Sequence, residues 1–271
     1  MSDATQLGRP ARTEHIPVAS RHAATSRLTR AVIRRQRRVW TRRAPSWASG
    51  GAADLAPVVA AVLDQVPGGP GRRVLDVGCG TGTLALPLAE SGAEVLAVDV
   101  SAVMTDAVAV EATRRGLVNL STLTTSAESL DLPPSSLDAV VSNYALHHLR
   151  DADKSRLLDS ASRWLRPGGV LVIGDLMLGR GASSRDRRII RAKVAALARK
   201  GPGGWWRVAK NSFRFLLRLQ ERPLPMASWV RLLRETGFVD VRSIDVVAEA
   251  GVVVGTAANE SVLAPVGSDR H

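Results

Sequence analysis

Three glycines follow a short apolar run in Val74-Leu75-Asp76-Val77-Gly78-Cys79-Gly80-Thr81-Gly82. Glycine adopts positive φ at no steric cost and lets a backbone approach a bound group closely. A glycine turn that opens a helix also offers that helix's free N–H groups to a ligand. Two acids stand beside it. Asp76 lies inside the strand end, and Asp99 closes a second apolar run 17 residues beyond Gly82. An acid there is placed to accept both hydroxyls of a ribose, as in dinucleotide folds. The chemistry is that of holding a nucleoside-bearing cofactor. Leu84 and Ala85 follow Gly82, so the run departs from the Gly-x-Gly-x-x-Gly spacing of nicotinamide sites.

A second reactive group lies in Ser142-Asn143-Tyr144-Ala145-Leu146-His147-His148-Leu149. An unperturbed imidazole titrates near neutrality, which suits a general base. Adjacent residues on a helix point about 100° apart, so at most one of the two histidines faces a given site. His147 is the candidate base, and Tyr144, the single tyrosine, the candidate substrate contact. The alternative for the pair is a structural polar role. Cys79 is the single cysteine, which excludes a disulfide scaffold and a Cys-based zinc site. It reads as a small residue of the turn, because a catalytic thiol wants a neighbouring base and an electropositive site. No metal site is expected.

Short strands alternating with helices must carry these residues. Strands are expected at Arg73–Val77, Glu94–Val100, Leu120–Thr124, Leu137–Ser142 and Val170–Asp175, each a short apolar or Val-rich run. Helices are expected at 51–66, with Asp54 as N-cap and Pro57 in the first turn, and at Thr83–Ser91, Ala102–Arg115 and Asp153–Leu165. Arg166-Pro167-Gly168-Gly169 ends the last of these. Pro225–Thr236 reads as a helix, and Val239–Val247 with Gly251–Gly255 as a closing strand pair. Such alternation implies right-handed crossovers and a mostly parallel sheet covered on both faces.

At 271 residues and 45 % apolar content, the chain is long enough for one large domain with a sizeable core. It has no run of 18 apolar residues and no apolar leader, so a cytoplasmic protein is expected. The net charge of +12 is unevenly placed. Residues 1–50 net +9 and residues 177–222 net +11, which leaves −8 for the rest. Residues 25–43 fit a basic helix with a thin apolar stripe of Leu28, Val32 and Val39. The stretch 177–222 joins many arginines to Trp205, Trp206, Phe213 and Phe215, with helices expected near 185–200 and 205–220. Basic and aromatic residues together suit an anionic membrane surface. They also suit nucleic acid, by phosphate contact and stacking. The third reading is a solvated arm and a helix whose aromatics are core.

Asp76–Gly82, the Ala97-Val98-Asp99-Val100-Ser101 segment and Leu165–Gly169 together resemble class I S-adenosylmethionine-dependent methyltransferases. The resemblance covers roughly residues 50–178 and 225–256. Within that family the segment 142–149 is most similar to the small-molecule methyltransferases of ubiquinone and menaquinone biosynthesis. The resemblance implies a Rossmann-like, doubly wound, seven-stranded sheet, mostly parallel with a late antiparallel strand. It implies a helical lid at about 177–222 within a methyltransferase domain at 50–256. Residues 1–49 would be a basic, partly disordered arm, and 257–271 a flexible tail.

The resemblance also assigns residues. Asp76, Gly78, Cys79, Gly80 and Gly82 would meet the methionine end of S-adenosylmethionine. Asp99 would hold the ribose hydroxyls, Val100 would lie against adenine, and the Ala127 amide would reach the ring. Many relatives carry Asp where Ser126 stands here, with Glu128 two positions on, so these two residues would flank the adenine edge. Ser142 and Asn143 would face the cofactor and the methyl acceptor. Trp47 and the 177–222 segment would lie over the pocket.

A sulfonium methyl is already a reactive donor, so alignment of the acceptor supplies much of the rate and no strong base is required. The Asn-Pro-Pro-Tyr motif that positions amines is absent, which favours oxygen or carbon acceptors. The expected activity is methylation of a hydrophobic or lipid-like small molecule. The alternatives are an RNA methyltransferase that grips with the Arg-rich arm, and a non-catalytic cofactor-binding module.

Overall fold

A computed structural model describes residues 55–179, 184–199 and 222–259, together with Ile16, Arg38, Val39 and Thr41. Helix α1 spans Ala56–Leu63 and strand β1 Arg73–Val77. Then come α2 (Ala85–Glu90), β2 (Glu94–Asp99), α3 (Ala102–Arg114) and β3 (Leu120–Thr124). A single 3₁₀ turn at Ala127–Ser129 precedes β4 (Leu137–Asn143), and a second at Leu146–His148 follows it. The chain continues as α4 (Asp151–Trp164), β5 (Leu165–Leu176), α5 (Ser184–Ala198), α6 (Met226–Glu235), β6 (Phe238–Val247) and β7 (Ala250–Ala257).

The seven strands form one sheet in the order β3-β2-β1-β4-β5-β7-β6. The first five are parallel, and β7 runs antiparallel between β5 and β6. The order doubles back at β1 and β4, so the turns after these two strands emerge side by side at the carboxyl edge. Ligands of open α/β sheets sit in that crevice.

Alternate residues of a strand point to opposite faces, and the core divides on that rule. Leu75, Val77, Leu96 and Ile173 pack with Leu157 and Leu158 of α4 and with Trp229 and Leu233 of α6. Val74, Val95, Ala97, Val141 and Val172 pack on the other face with Val58 and Val62 of α1 and Leu88 of α2. Both faces are apolar, so the central strands show no polar alternation. Ile16, only 5 % exposed, joins the first cluster, so the basic arm contributes a residue to the core.

Several boundaries differ from the sequence expectation. Strand β5 begins at Leu165 rather than Val170, because Leu165 pairs with Leu137 before the register shifts to Ala139–Val170. Arg166–Gly169, which reads as a helix stop, therefore leads into the strand, with Gly168 at φ +77°. Helix α4 starts at Asp151, which puts Asp151 and Asp153 in its first turn. Acids there meet the positive end of the helix dipole. The N-cap of α1 is Leu55, without a side-chain bond, in place of the expected Asp54, which lies outside the described residues. The expected second helix near 205–220, Trp47, Trp205 and Trp206 also lie outside them. Among the described residues, no helix is long and apolar enough to cross a membrane.

Leu75 is fully buried in the central strand. Leu75→Ala is expected to lower the free energy of unfolding by about 2–5 kcal/mol, read from the midpoint of a urea titration.

Candidate functional site

The turn after β1 is tied to β2 by two backbone bonds. Gly78 and Cys79 both donate N–H bonds to the Val98 carbonyl, at 2.8 and 2.9 Å. Gly78, Gly80 and Gly82 stand at φ +75°, +52° and +88°. At Gly78 a side chain would also overlap the Cβ of Ala145, in the turn after β4. Glycine is needed there twice, for its φ and for the close approach of the two turns. Gly82 closes the loop by donating to the Cys79 carbonyl, and its own carbonyl accepts from Leu86 to begin the helix.

Asp99 is aimed by the same loop. Its Oδ2 accepts from the Gly80 N–H at 3.1 Å and its Oδ1 from the Ser101 N–H at 2.9 Å. Burial raises its pKa, against the lowering effect of the Ser101, Gly80 and Val100 amides. Asp76, only 1 % exposed, is the less satisfied acid. Its Oδ2 has no hydrogen-bond partner. Desolvation and then the charge of Asp99 push its pKa up to about 8, against the opposing Ala85 N–H. The same burial and the two carboxylates push the Cys79 thiol well above its usual range. Cys79 is thus a neutral thiol, which agrees with its reading as a turn residue.

A cleft of about 860 Å³, mouth included, opens over this loop. Of the sequence-derived site residues, Gly78, Cys79, Gly80, Asp99, Val100, Ser126, Ala127, Glu128, Asn143 and Tyr144 line it. Asp76, Gly82, Ser142 and His147 do not. Asp76 is buried next to the lining residue Val77, with its free oxygen. Ser142 spends its hydroxyl on the Val77 carbonyl, 2.8 Å away, tying β4 to β1. Ser126 gives its hydroxyl to Ser129 at 3.0 Å, so both oxygens of Glu128 are left without a hydrogen bond of normal geometry. Burial raises the Glu128 pKa.

His147 departs from its expected place because Asp175 captures it. The fully buried Asp175 accepts the His147 N–H at 2.8 Å on Oδ2 and meets Nδ1 at 2.5 Å on Oδ1. The neighbouring imidazole, His148, takes the cleft wall instead. Tyr144 stands at φ +50°, an uncommon conformation for a residue with a side chain, and donates its N–H to the Gly174 carbonyl at 2.8 Å. The His147 carbonyl accepts from the Arg222 N–H at 2.6 Å, and Lys154 Nζ donates to the Arg222 carbonyl at 2.5 Å. The chain returning from the insertion is therefore fastened beside the site. Sequence reasoning missed Leu55, Thr81, Thr83, Met104 and Leu149 on the wall. Thr81 and Thr83 flank the last glycine of the turn, which was the available signal. Among the described residues, no group of three or more His, Cys, Asp or Glu could hold a metal ion.

A strand–glycine turn–helix with a following strand-end acid, on a seven-stranded sheet with one antiparallel strand, defines an α/β fold with a cleft suited to a nucleoside-bearing cofactor. Residues 74–169 match the family described as a methyltransferase domain. An uncharacterized protein of Escherichia coli, YafE, is 32 % identical over 152 residues, which are 54 % of this chain and 72 % of that protein. A ubiquinone biosynthesis O-methyltransferase of Sinorhizobium fredii is 28 % identical over 168 residues, 62 % of this chain and 63 % of that enzyme. The chain thus spans less than two thirds of several curated relatives it matches. Among solved structures, a Burkholderia thailandensis 1,6-didemethyltoxoflavin-N1-methyltransferase bound to S-adenosylhomocysteine shares the fold. Its TM-score is 0.60 at 20 % identity, over 90 % of this chain and 95 % of that one. The chain belongs to the S-adenosylmethionine-dependent methyltransferase family. Its residues fit this cofactor. The unpartnered Asp76 oxygen is a buried acceptor suited to an ammonium, and Gly78, Gly80 and Asp99 line the cleft next to it.

Gly78→Ala is expected to weaken cofactor binding at least tenfold by calorimetric titration, because strain and overlap both open the turn. Asp76 supplies a pH dependence. Its folded pKa of about 8 exceeds the ordinary 3.8, so its contribution to stability is full below 3.8. It is lost progressively as pH rises through 8. The melting temperature of the cofactor-free protein is expected to carry that decline, and Asp76→Asn to remove it.

Proposed function

We propose that this enzyme methylates a hydrophobic or lipid-like small molecule, on oxygen or carbon, by in-line displacement. The carrying observation is the character of the cleft wall. Leu55, Met104, Tyr144, Leu146 and Leu149 line it, and among the described residues neither Lys nor Arg does. Small-molecule sites are of this kind, apolar with a few convergent polar groups.

In this reading Asp76 and the backbone of the Gly78–Gly82 turn hold the methionine end of the cofactor. Asp99, already aimed by two amides, takes the ribose hydroxyls. Val100 and the Ser126–Glu128 turn enclose adenine, and Asn143 and Tyr144 stand at the acceptor side. Bound S-adenosylmethionine supplies an electrophilic methyl on a sulfonium. The protein's part is to hold the acceptor atom in line with that methyl and to exclude water. Orientation of this sort accounts for about 7–11 kcal/mol in well-aligned systems. Residues 50–256 form the catalytic unit, with 177–222 as its helical insertion and 1–49 as a basic arm.

Helix α5 supports contact with an anionic membrane surface, because Arg187, Arg188 and Arg191 are exposed on it and Arg199 just beyond it. The same arginines would serve an RNA substrate in the second reading.

The test incubates the protein with methyl-labelled S-adenosylmethionine and cell extract, beside Asp99→Ala, and partitions the products. Label in the organic phase, reduced at least tenfold in the variant, is expected. Label retained on RNA overturns the proposed substrate class. Tight cofactor binding without any label points to a binding module.

A further inference from the structure

Residues 144–149 form a turn that shows one histidine to the cleft and hides the other. Tyr144, Ala145, Leu146, His148 and Leu149 line the wall, and His147 does not. The hidden ring is fixed through one carboxylate. Its Nδ1 lies 2.5 Å from Asp175 Oδ1, and that carboxylate is held in turn by the His147 backbone N–H on Oδ2 at 2.8 Å and the Leu176 backbone N–H on Oδ1 at 2.7 Å. Both Asp175 oxygens already accept backbone N–H bonds, so the carboxylate acts as the acceptor here and the Nδ1 contact selects the Nδ1–H tautomer of His147. The His148 ring packs on that fixed ring, with centroids 3.9 Å apart and planes tilted by 51°. Tyr144 meets the other edge of His147 at 6.4 Å and 85°. The Arg222 N–H on the His147 carbonyl fastens the same turn from outside.

The other ionisable groups on the wall are differently placed. Asp99 is spent on two amides, and the Cys79 thiol is held neutral. Glu128 lies in the turn after β3, and His148 is the imidazole among the described lining residues.

Building on the small-molecule reading above, we propose that His148 is the base that takes the acceptor's proton, and that His147 and Asp175 are positioning residues that hold its ring toward the cleft. The acceptor is then a hydroxyl compound, and the product an O-methyl ether. A lone pair of the hydroxyl oxygen forms the new C–O bond to the methyl carbon. The C–S bond breaks with its electron pair going to sulfur, which becomes a neutral thioether. The hydroxyl proton passes to a ring nitrogen of His148 and leaves later to solvent. This division of labour parallels a base oriented by a buried carboxylate, with a second imidazole interposed.

The experiment uses methyl-labelled S-adenosylmethionine and whole cell extract, with products of both phases treated with hydriodic acid. That reagent releases O-methyl groups as volatile methyl iodide and leaves C-methyl groups in place. Volatile label is expected from the wild-type product. His148→Gln is expected to lower turnover at least ~100-fold, with cofactor affinity by calorimetry unchanged within twofold. Asp175→Asn is expected to lower kcat about tenfold with KM unchanged. Label that resists cleavage, or His148→Gln activity within threefold of wild type, overturns the proposal.

Asp175→Asn could unfold, so ¹⁵N-histidine spectra of the wild-type protein provide a second readout. A single His147 tautomer protonated at Nδ1 is expected, and exchange between both tautomers overturns the positioning role. If label appears only in aqueous products, the hydrophobic-acceptor reading fails, and the His148 comparison proceeds on those products. Absence of label from both phases overturns both.

Discussion

The close approach of two backbone turns governs this molecule. The turn after β1 and the turn after β4 meet at Gly78 and Ala145, with no room between them for a further side chain. Adjacent parallel strands whose chains leave in opposite directions create that meeting place. Everything used by the site hangs from it. The Gly78 and Cys79 amides bind β2 through Val98, the Gly80 amide aims Asp99, and Ser142 stitches β4 to β1 through Val77. A shift of either turn would misplace both sides of the cleft.

The sequence displayed the glycine-turn half of this arrangement well. Glycines at 78, 80 and 82 all have positive φ, as a turn beside a ligand demands. The strand-end position of Asp99 was equally plain, because apolar runs of five or six residues mark buried parallel strands. The half built from the turn after β4 was less legible. Which of His147 and His148 faces the cleft depends on Asp175, which lies 28 residues away in sequence and ends a different strand. No local spacing carries that partnership. Leu55 and Met104 reach the wall for the same reason, through helix placement rather than motif.

Boundaries failed where local chemistry and sheet pairing compete. Arg166–Gly169 has the composition of a helix stop, and it does stop α4. However, Leu165 pairs with Leu137 first, so the strand begins before the glycines rather than after them. Asp138 helps to explain this. Its buried carboxylate accepts from Arg72 and the Arg73 amide and pairs with Arg166, pinning the entry edges of β1, β4 and β5 together. A long-range ion cluster therefore sets a boundary that a reading of residues 165–170 alone misplaces.

The electrostatics of the site carry a consequence for turnover. Asp76 is buried with one oxygen unsatisfied, and Asp99 stands near enough to raise its pKa further. Such a pair is costly until a cation arrives. In the proposed reading the cofactor brings two positive groups, an ammonium and a sulfonium, into a cleft whose described wall has no Lys or Arg to repel them. In that reading the spent cofactor would lack the sulfonium charge, so Asp76 would still meet its ammonium while the second attraction would be gone. Part of the binding energy is then specific to the reactive form of the cofactor. In the proposed reading, the same buried acids would help to distinguish donor from spent product, without any additional residue.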